Sequence, residues 1–581
     1  MAESSESLNI DSAGLLLMNP WWFLSGDTPV PASGSGSQPM QFPRLPEQSA
    51  AAVSRIASLQ AQAMQSHMQL WNAMLRRGGE SDSSGDASEV NADRRFSADE
   101  WGADAFHDYV RRSYLINARF TMDMVDAVDL DERERGRLRF AMRQMVNALS
   151  PANFASTNPE VVRTALETQG ESIARGVRNL LQDLQKGRIS TTDASAFEIG
   201  RNLAVTPGAV VFENDLIQLI QYAPSTDTIY RRPLVIVPPC INKFYILDLQ
   251  PQNSFVRYAV SQGHTVFMIS WKNVLEDQQA LTWDDYLSSG VLCALDSARR
   301  IAGAEKVNAL GFCVGGTMLS AVLGILEARG ERWVESLTLL ASLLDFSDTG
   351  EIGLMIDESS VSARELQIGG EGGGILPGKE LAQVFSALRA NDLVWPYVVN
   401  NYLKGRQPDP FDILYWNADS TNLPGRMYCW YVRNMYLDNS LRIPGRLEML
   451  GEKVSLQALT MPSYVLATRE DHIVPWETAY QSVHILSGEN RFVLGASGHV
   501  AGVINPAVAN RRSYWVNTEL PADARIWLDG AVETRGSWWR DWSDWLAPHG
   551  GGKIKSRKRL GGAGFKKIEP APGRYVMRQI S

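Results

Sequence analysis

The stretch Lys306-Val-Asn-Ala-Leu-Gly-Phe-Cys313-Val-Gly-Gly-Thr-Met-Leu-Ser320 constrains this chain more than any other. It reads as a short apolar strand, a turn flanked by glycines and the start of a helix. The pattern is G-x-C-x-G, the strand-to-helix elbow that exposes a nucleophile, with cysteine where a hydrolase carries serine. Gly311 and Gly315 suit such a turn because the backbone folds too tightly there for a side chain. Val314, next after the cysteine, would turn its backbone N–H toward an oxyanion. A buried cysteine between two incidental glycines has the same wording, so the rest of the chain has to decide.

The other cysteines, Cys240, Cys293 and Cys429, form no CxxC pair and have no histidine at metal-ligand spacing. Free thiols in a reducing cytoplasm, without a metal, are the expectation. A net charge of −9, from 56 Lys plus Arg against 65 Asp plus Glu, speaks against a general nucleic-acid binder. The acidic, serine-rich start has no basic region of the kind a secretory signal needs. No apolar run reaches the roughly 18 residues of a membrane-spanning helix.

Residues 1–93 read as a variable, partly disordered segment. An apolar patch with Trp21 and Trp22, from Leu15 to Phe23, could be a docking segment. The apolar spacing over 49–77 predicts an amphipathic helix that packs on its own domain, with a membrane or granule contact as the other reading. An acidic Ser/Gly-rich linker follows, from Gly78 to Asp93. Residues 94–200 read as a helical domain, with helices over 132–149 and 159–185. After Val205 short apolar strands alternate with helical segments. Residues 209–212 and 216–222 suggest an opening hairpin. Residues 233–237, 265–271, 307–310, 336–340, 463–467 and 491–494 suggest parallel strands. The rhythm breaks at about 346–452, read as a cap inserted over the site. Of the 17 tryptophans, Trp538, Trp539, Trp542 and Trp545 cluster near a basic Gly-rich tail and suggest an apolar or ligand-facing surface.

An elbow cysteine needs a base and an orienting acid, which follow it in the order acid, histidine. His499 sits in Gly-Ala-Ser-Gly-His-Val-Ala-Gly, a loop of small residues after a strand. His484 lies in a helix-like stretch, His549 in the tail, and His472 is read as structural. Asp471 follows another strand, where a carboxylate lies beside the elbow; a turn cap is its bland role. His499 would make Cys313 a thiolate. Asp471 would orient the imidazole or act on a hydroxyl itself. A thiol attacking a thioester is nearly isoenergetic, so cysteine suits acyl exchange. The second oxyanion donor is expected in the loop from Val237 to Asp248, at the Ile241 N–H, with Cys240 a packed small residue.

These residues match a known family. The chain resembles the bacterial polyhydroxyalkanoate synthases, in particular the class I single-subunit type. The resemblance rests on Pro-Pro-Cys-Ile-Asn-Lys-Phe-Tyr-Ile-Leu-Asp-Leu, Gly-Phe-Cys-Val-Gly-Gly-Thr, Arg-Glu-Asp-His-Ile-Val-Pro-Trp and Gly-Ala-Ser-Gly-His-Val-Ala-Gly-Val-Ile-Asn-Pro. Asp392-Leu-Val-Trp395, Tyr415-Trp416-Asn417, Met427-Tyr-Cys-Trp-Tyr431 and Glu569-Pro-Ala-Pro-Gly-Arg-Tyr575 add to it. It runs from about residue 94 onward and implies an α/β-hydrolase fold over 201–581 with a cap and an N-terminal helical domain.

The resemblance further implies that Cys313 is nucleophile, His499 base and Asp471 third member, with Val314 and Ile241 as oxyanion donors. The aspartate is thought to help activate the 3-hydroxyl of the incoming unit. Short-chain (R)-3-hydroxyacyl-CoA, mainly 3-hydroxybutyryl-CoA, would be polymerised to polyester with release of CoA. No cofactor is implied beyond the CoA thioester substrate. The partners implied are a second copy of the chain, the cytoplasmic polyester granule and granule-associated proteins. Lys272 and Val274 depart from the family wording, arginine and proline, which affects local loop geometry. A cysteine-type thioesterase or depolymerase, a medium-chain synthase and a granule-coating scaffold are the competing readings.

Overall fold

The computed structural model of the chain describes residues 48–76, 93–557 and 559–578. The apolar patch at 15–23 and nearly all of the acidic linker lie outside the described residues. The chain forms two compact units. One holds the described residues up to Asp193 together with Phe385–Asp409; the other holds Ala194–Val384 and Pro410 onward. The division falls at 193/194 where the sequence suggested 200, and residues 385–409 leave the expected cap.

The first unit is helical: α1 Ala50–Arg76, α2 Ala105–Ala127, α3 Glu132–Ala148, α4 Pro159–Glu167 and α5 Glu171–Lys186. The single helix expected over 159–185 is two, because Gln169 and Gly170 both take positive φ (51° and 85°) and end the first. Helix α1 lies on α2, where Trp71 meets Tyr109 edge-on at 5.9 Å, while Val53, Met64, Met68 and Leu75 stay exposed. Residues 385–409 join this unit by direct backbone contact. A Cβ on Gly176 of α5 would stand 1.9 Å from Tyr402 O, and Asn179 Nδ2 donates to Asn401 O at 2.9 Å and Arg406 O at 3.0 Å.

The second unit is built on an 11-stranded sheet. Its strands are β1 Gly208–Glu213, β2 Ile217–Tyr222, β3 Leu234–Val237, β4 Val266–Trp271, β5 Val307–Phe312, β6 Val334–Leu340, β7 Ser463–Thr468, β8 Asn490–Gly495, β9 Ser513–Val516, β10 Val532–Arg535 and β11 Glu569–Pro570. The order is β10-β9-β8-β7-β6-β5-β3-β4-β2-β1-β11. From β8 to β4 neighbouring strands are parallel, and the flanks on both sides are antiparallel. Both faces are covered, so alternate residues of one strand enter different cores. Leu234 and Ile236 join one buried cluster, Val235 and Val237 the other. Helix α6, Val314–Ala328, is buried on all sides from Val314 to Leu326, which fits its almost wholly apolar sequence.

Trp538, Trp539 and Trp542 do not form a surface. They lie on α7, Trp538–Leu546, at 0%, 2% and 0% exposure, and pack around Phe255 at centroid distances of 4.8–5.9 Å. An indole buries roughly 150–250 Å² of mostly apolar surface, so three neighbours at helical spacing make a core as readily as a patch. The start of the basic tail is a strand: Lys553–Lys555 pairs with Thr228–Tyr230. Among the described residues no helix is long and apolar enough to cross a membrane.

Candidate active site

The C-terminal ends of β5, β7 and β8 carry the three residues that the sequence singled out. Cys313 follows β5 at φ 54° and ψ −130°, a conformation that costs a non-glycine residue about 1–3 kcal/mol and persists only when its surroundings impose it. Here they do. Cys313 N donates to Leu340 O at 3.0 Å, and Gly316 N donates to Cys313 O at 2.9 Å. A Cβ on Gly311 would stand 2.3 Å from Gly316 Cα, and one on Gly315 would stand 2.2 Å from Val237 O. The helix thus starts directly against the end of β3, and the thiol stands half-buried at its tip.

His499 begins a short helix, His499–Val503, after β8. Its ring stacks on Phe312 at 5.5 Å, and its Nδ1 lies 2.7 Å from Asp471 Oδ2. Cys313 interacts electrostatically with the same imidazole. With Nδ1 turned to the carboxylate, Nε2 is left for sulfur. Asp471 is fixed by Thr468 Oγ1, which donates to Oδ2 at 3.1 Å, and by the N–H groups of Ile473 and Val474, which both donate to Oδ1 at 2.9 Å. The side chain is wholly enclosed. The buried tryptophans take part here: the Trp538 and Trp539 indoles donate to Gly502 O and Val503 O, each at 2.9 Å, and hold the far end of the His499 helix.

Burial works against a charge on His499, but the Asp471 carboxylate and the Cys313 sulfur outweigh it and hold the imidazole well above its ordinary pKa. Burial raises Asp471, yet the neighbouring His499 charge and the hydrogen bonds bring its carboxyl below the usual range. The arrangement favours a charged imidazole held against the enclosed carboxylate.

Val314 is the first residue of α6, so its N–H has no acceptor within the helix. Ile241 lies in the loop after β3, and among the described residues no hydrogen bond uses its N–H. Cys240 is 3% exposed, and burial pushes its thiol far up, as fits a packed residue. His484 Nε2 is 3.1 Å from Pro521 O. His549, placed in an ordered turn, meets Trp545 at a tilt at 5.0 Å, away from the elbow. The loop at Lys272 and Val274 is tied: Asn422 donates to Asn273 Oδ1 at 3.0 Å and to Val274 O at 3.2 Å.

The structure adds residues that the sequence reading passed over. Tyr431 and Tyr436 meet edge-on at 5.5 Å, and burial, with Cys313 nearby, pushes both phenols far above their ordinary pKa. Phe346 meets Tyr436 at 5.0 Å, and Trp283 stacks on Tyr431 at 5.3 Å. These aromatics put an apolar wall with a phenol edge beside the thiol. Tyr431 stood in a quoted motif, but nothing in its spacing pointed to Cys313. Among the described residues no group of three His, Cys, Asp or Glu could hold a metal ion.

Fold and site together define an α/β-hydrolase-fold protein with cysteine at the elbow. Residues 233–506 match the family described as alpha/beta hydrolase fold, and residues 92–259 match the poly-beta-hydroxybutyrate polymerase (PhaC) N-terminus. A poly(3-hydroxyalkanoate) polymerase subunit PhaC of Cupriavidus necator is 51% identical over 528 residues, covering 90% of this chain and 89% of its own. The subunit PhaC of Rhizobium meliloti is 40% identical over 90% of this chain and 85% of its own. Poly(3-hydroxyalkanoate) polymerase 2 of Ectopseudomonas oleovorans is 40% identical over 84% of this chain and 86% of its own. The chain belongs to the poly(3-hydroxyalkanoate) polymerase family.

Proposed function

We propose that this protein polymerises (R)-3-hydroxyacyl groups from CoA thioesters into polyhydroxyalkanoate and releases CoA. The observation that carries the reading is the 2.7 Å contact of His499 with the enclosed Asp471 carboxylate at the strand ends beside the Cys313 elbow, in a chain half identical to a named polymerase. His499 takes the thiol proton, and the Cys313 thiolate attacks the acyl-CoA carbonyl. The N–H groups of Val314 and Ile241 receive the negative oxygen. The bond to CoA sulfur breaks, CoA leaves with the proton from His499, and the acyl group rests on Cys313. His499 then takes the proton of another unit's 3-hydroxyl, whose oxygen attacks the Cys313 thioester. An ester forms, the carbon–sulfur bond breaks, and the proton returns to the thiol.

Asp471 is assigned the orienting role. Its carboxylate is enclosed, and both oxygens are taken by His499, Thr468 and two backbone N–H groups, which leaves little room to meet a substrate hydroxyl directly. The aromatic wall of Phe346, Tyr431 and Tyr436 is given the task of keeping water from the thioester. Short-chain units, mainly 3-hydroxybutyryl, are the proposed substrate. No cofactor is invoked. A homodimer at the surface of cytoplasmic polyester granules, among granule-associated proteins, is the proposed setting.

Incubation with 3-hydroxybutyryl-CoA tests the reaction: CoA release is expected with formation of insoluble polyester. CoA release without polymer would replace the synthase with a thioesterase. Faster turnover of medium-chain 3-hydroxyacyl-CoA would overturn the short-chain assignment alone.

A further inference from the structure

The loop that carries Ile241 opens on Pro238 and Pro239, which restrict its backbone, and its carbonyls are individually held. Trp271 Nε1 donates to Pro238 O at 2.9 Å, Thr421 Oγ1 to Cys240 O at 2.7 Å, Thr421 N to Ile241 O at 3.3 Å, and Trp416 Nε1 to Lys243 O at 2.7 Å. Asn242 and Ser420 form a β-bridge between these bonds. Three of the four carbonyls are therefore gripped by one stretch, 416–421. The direction of the Ile241 N–H is set by how that stretch lies against the loop.

The same two stretches share a buried ion pair. Lys243 Nζ is 2.8 Å from Asp419 Oδ1, with the side chains 3% and 8% exposed. Tyr245 OH donates to Asp419 Oδ2 at 2.9 Å. Lys243 Nζ also donates to Val576 O at 2.8 Å, which brings in the 569–577 segment. That segment is itself fastened. Val576 is 1% exposed, Tyr575 OH donates to Asn214 O at 2.7 Å, and Glu569–Pro570 pairs with β1. An ion pair this dry is a poor source of stability, since two apolar residues of similar volume often serve as well or better. What it supplies that apolar packing does not is direction.

We propose that Lys243, Asp419 and Tyr245 form a positioning cluster that aims the Ile241 N–H at the oxyanion. The 569–577 segment belongs to the cluster through the Val576 carbonyl. The inference rests on the reading of Ile241 as an oxyanion donor. The cluster touches neither substrate nor Cys313; it acts through the loop, on the step in which a tetrahedral oxyanion forms.

The test uses the full chain with the pair replaced by apolar residues, Lys243→Met with Asp419→Leu, so that no unpaired charge is left buried. Tyr245→Phe, which removes a single hydrogen bond, is the conservative companion. Three quantities are measured: kcat and KM for 3-hydroxybutyryl-CoA, the rate of the first CoA release in a single turnover, and the rate of Cys313 alkylation by iodoacetamide. Alkylation needs the thiolate but no oxyanion donor. The expected result for the double variant is a kcat about 10- to 100-fold lower, the range for a small misplacement of a catalytic group, with KM and alkylation within twofold of the parent. Tyr245→Phe is expected to show the same pattern with a smaller loss. A kcat within twofold of the parent in either folded variant overturns the proposal. A parallel loss of alkylation overturns it too, because the cluster would then act on the thiol and imidazole. If the unmodified protein itself releases no CoA in a single turnover, the proposed reaction fails, a result distinct from any of these.

Discussion

Two buried histidines sit at opposite ends of the same parallel strands. His499 follows the C-terminal end of β8 at 7% exposure; His264 precedes β4 at 1% exposure. Both have lost their water, and each stacks on an aromatic ring, Phe312 at 5.5 Å for His499 and Tyr230 at 4.7 Å for His264. Their basicities have moved in opposite directions. Burial, with Lys553 nearby, pushes His264 down to about 4, and neither of its ring nitrogens has a hydrogen-bond partner among the described residues. His499 is held well above its ordinary value because Asp471 and Cys313 outweigh its burial. Enclosure alone makes a neutral, inert imidazole. A carboxylate held against one nitrogen, with a thiol nearby, keeps the imidazole basic.

The largest effect should come from deleting the sulfur. Cys313→Ala leaves the carboxylate and imidazole in place and removes the acyl acceptor. CoA release and polymer are expected to fall by about 10⁴-fold or more, with the melting temperature little changed. Turnover above a hundredth of the parent would show that Cys313 is not the acceptor. Asp471→Asn is the next break, and turns the surroundings of His499 toward those of His264. The amide also favours the wrong tautomer, so kcat should drop by about 10³- to 10⁴-fold. A loss below tenfold would mean that the carboxylate does not set the state of the imidazole.

The histidines should also differ in how they tie stability to pH. His264 binds a proton in the unfolded chain at about 6.5 and in the folded chain only at about 4. The stability it contributes is present above pH 6.5 and is lost as pH falls toward 4, about 3 kcal/mol in all. His499 has the opposite sign: its contribution is present below 6.5 and fades as pH rises through its elevated folded value. Denaturant midpoints of His264→Phe should flatten between pH 6.5 and 4 relative to the parent. An unchanged slope would remove His264 from the account. At the elbow, Gly315→Ala should cost about 1–3 kcal/mol, since its methyl meets Val237 O, while Gly370→Ala, with open space around its Cβ, should be neutral. Equal midpoints for the two variants would contradict the close approach of α6 to β3.

Much of this contrast could be read from the chain. The elbow is local, since strand, glycines and helix lie within fifteen residues, and the central strands announce themselves as apolar runs between turns. Asp471 and His499 were found by order along the chain, because in this fold both must follow later strands. Other features stayed hidden. Nothing in the Trp538–Trp545 cluster says whether it faces solvent or Phe255, since helical spacing is the same for both. Pro159–Gln185 reads as one helix because isolated glycines such as Gly170 and Gly176 are tolerated in a helical pattern. The membership of 385–409 in the N-terminal unit rests on contacts made more than 200 residues away in sequence, such as Asn179 with Asn401.

The sequence by itself determined that Cys313 stands on a tight strand-to-helix turn and that Asp471 and His499 follow later strands, because tight turns and strand ends depend on residue type and order. Tertiary structure decided what those groups become. The 2.7 Å approach of Asp471 to His499, the phenols of Tyr431 and Tyr436 beside the sulfur, and the grip of residues 416–421 on the Ile241 loop join segments far apart in the chain. Basicity and hydrogen-bond direction depend on distances of a few ångströms between such segments, and no local pattern of residues encodes those distances.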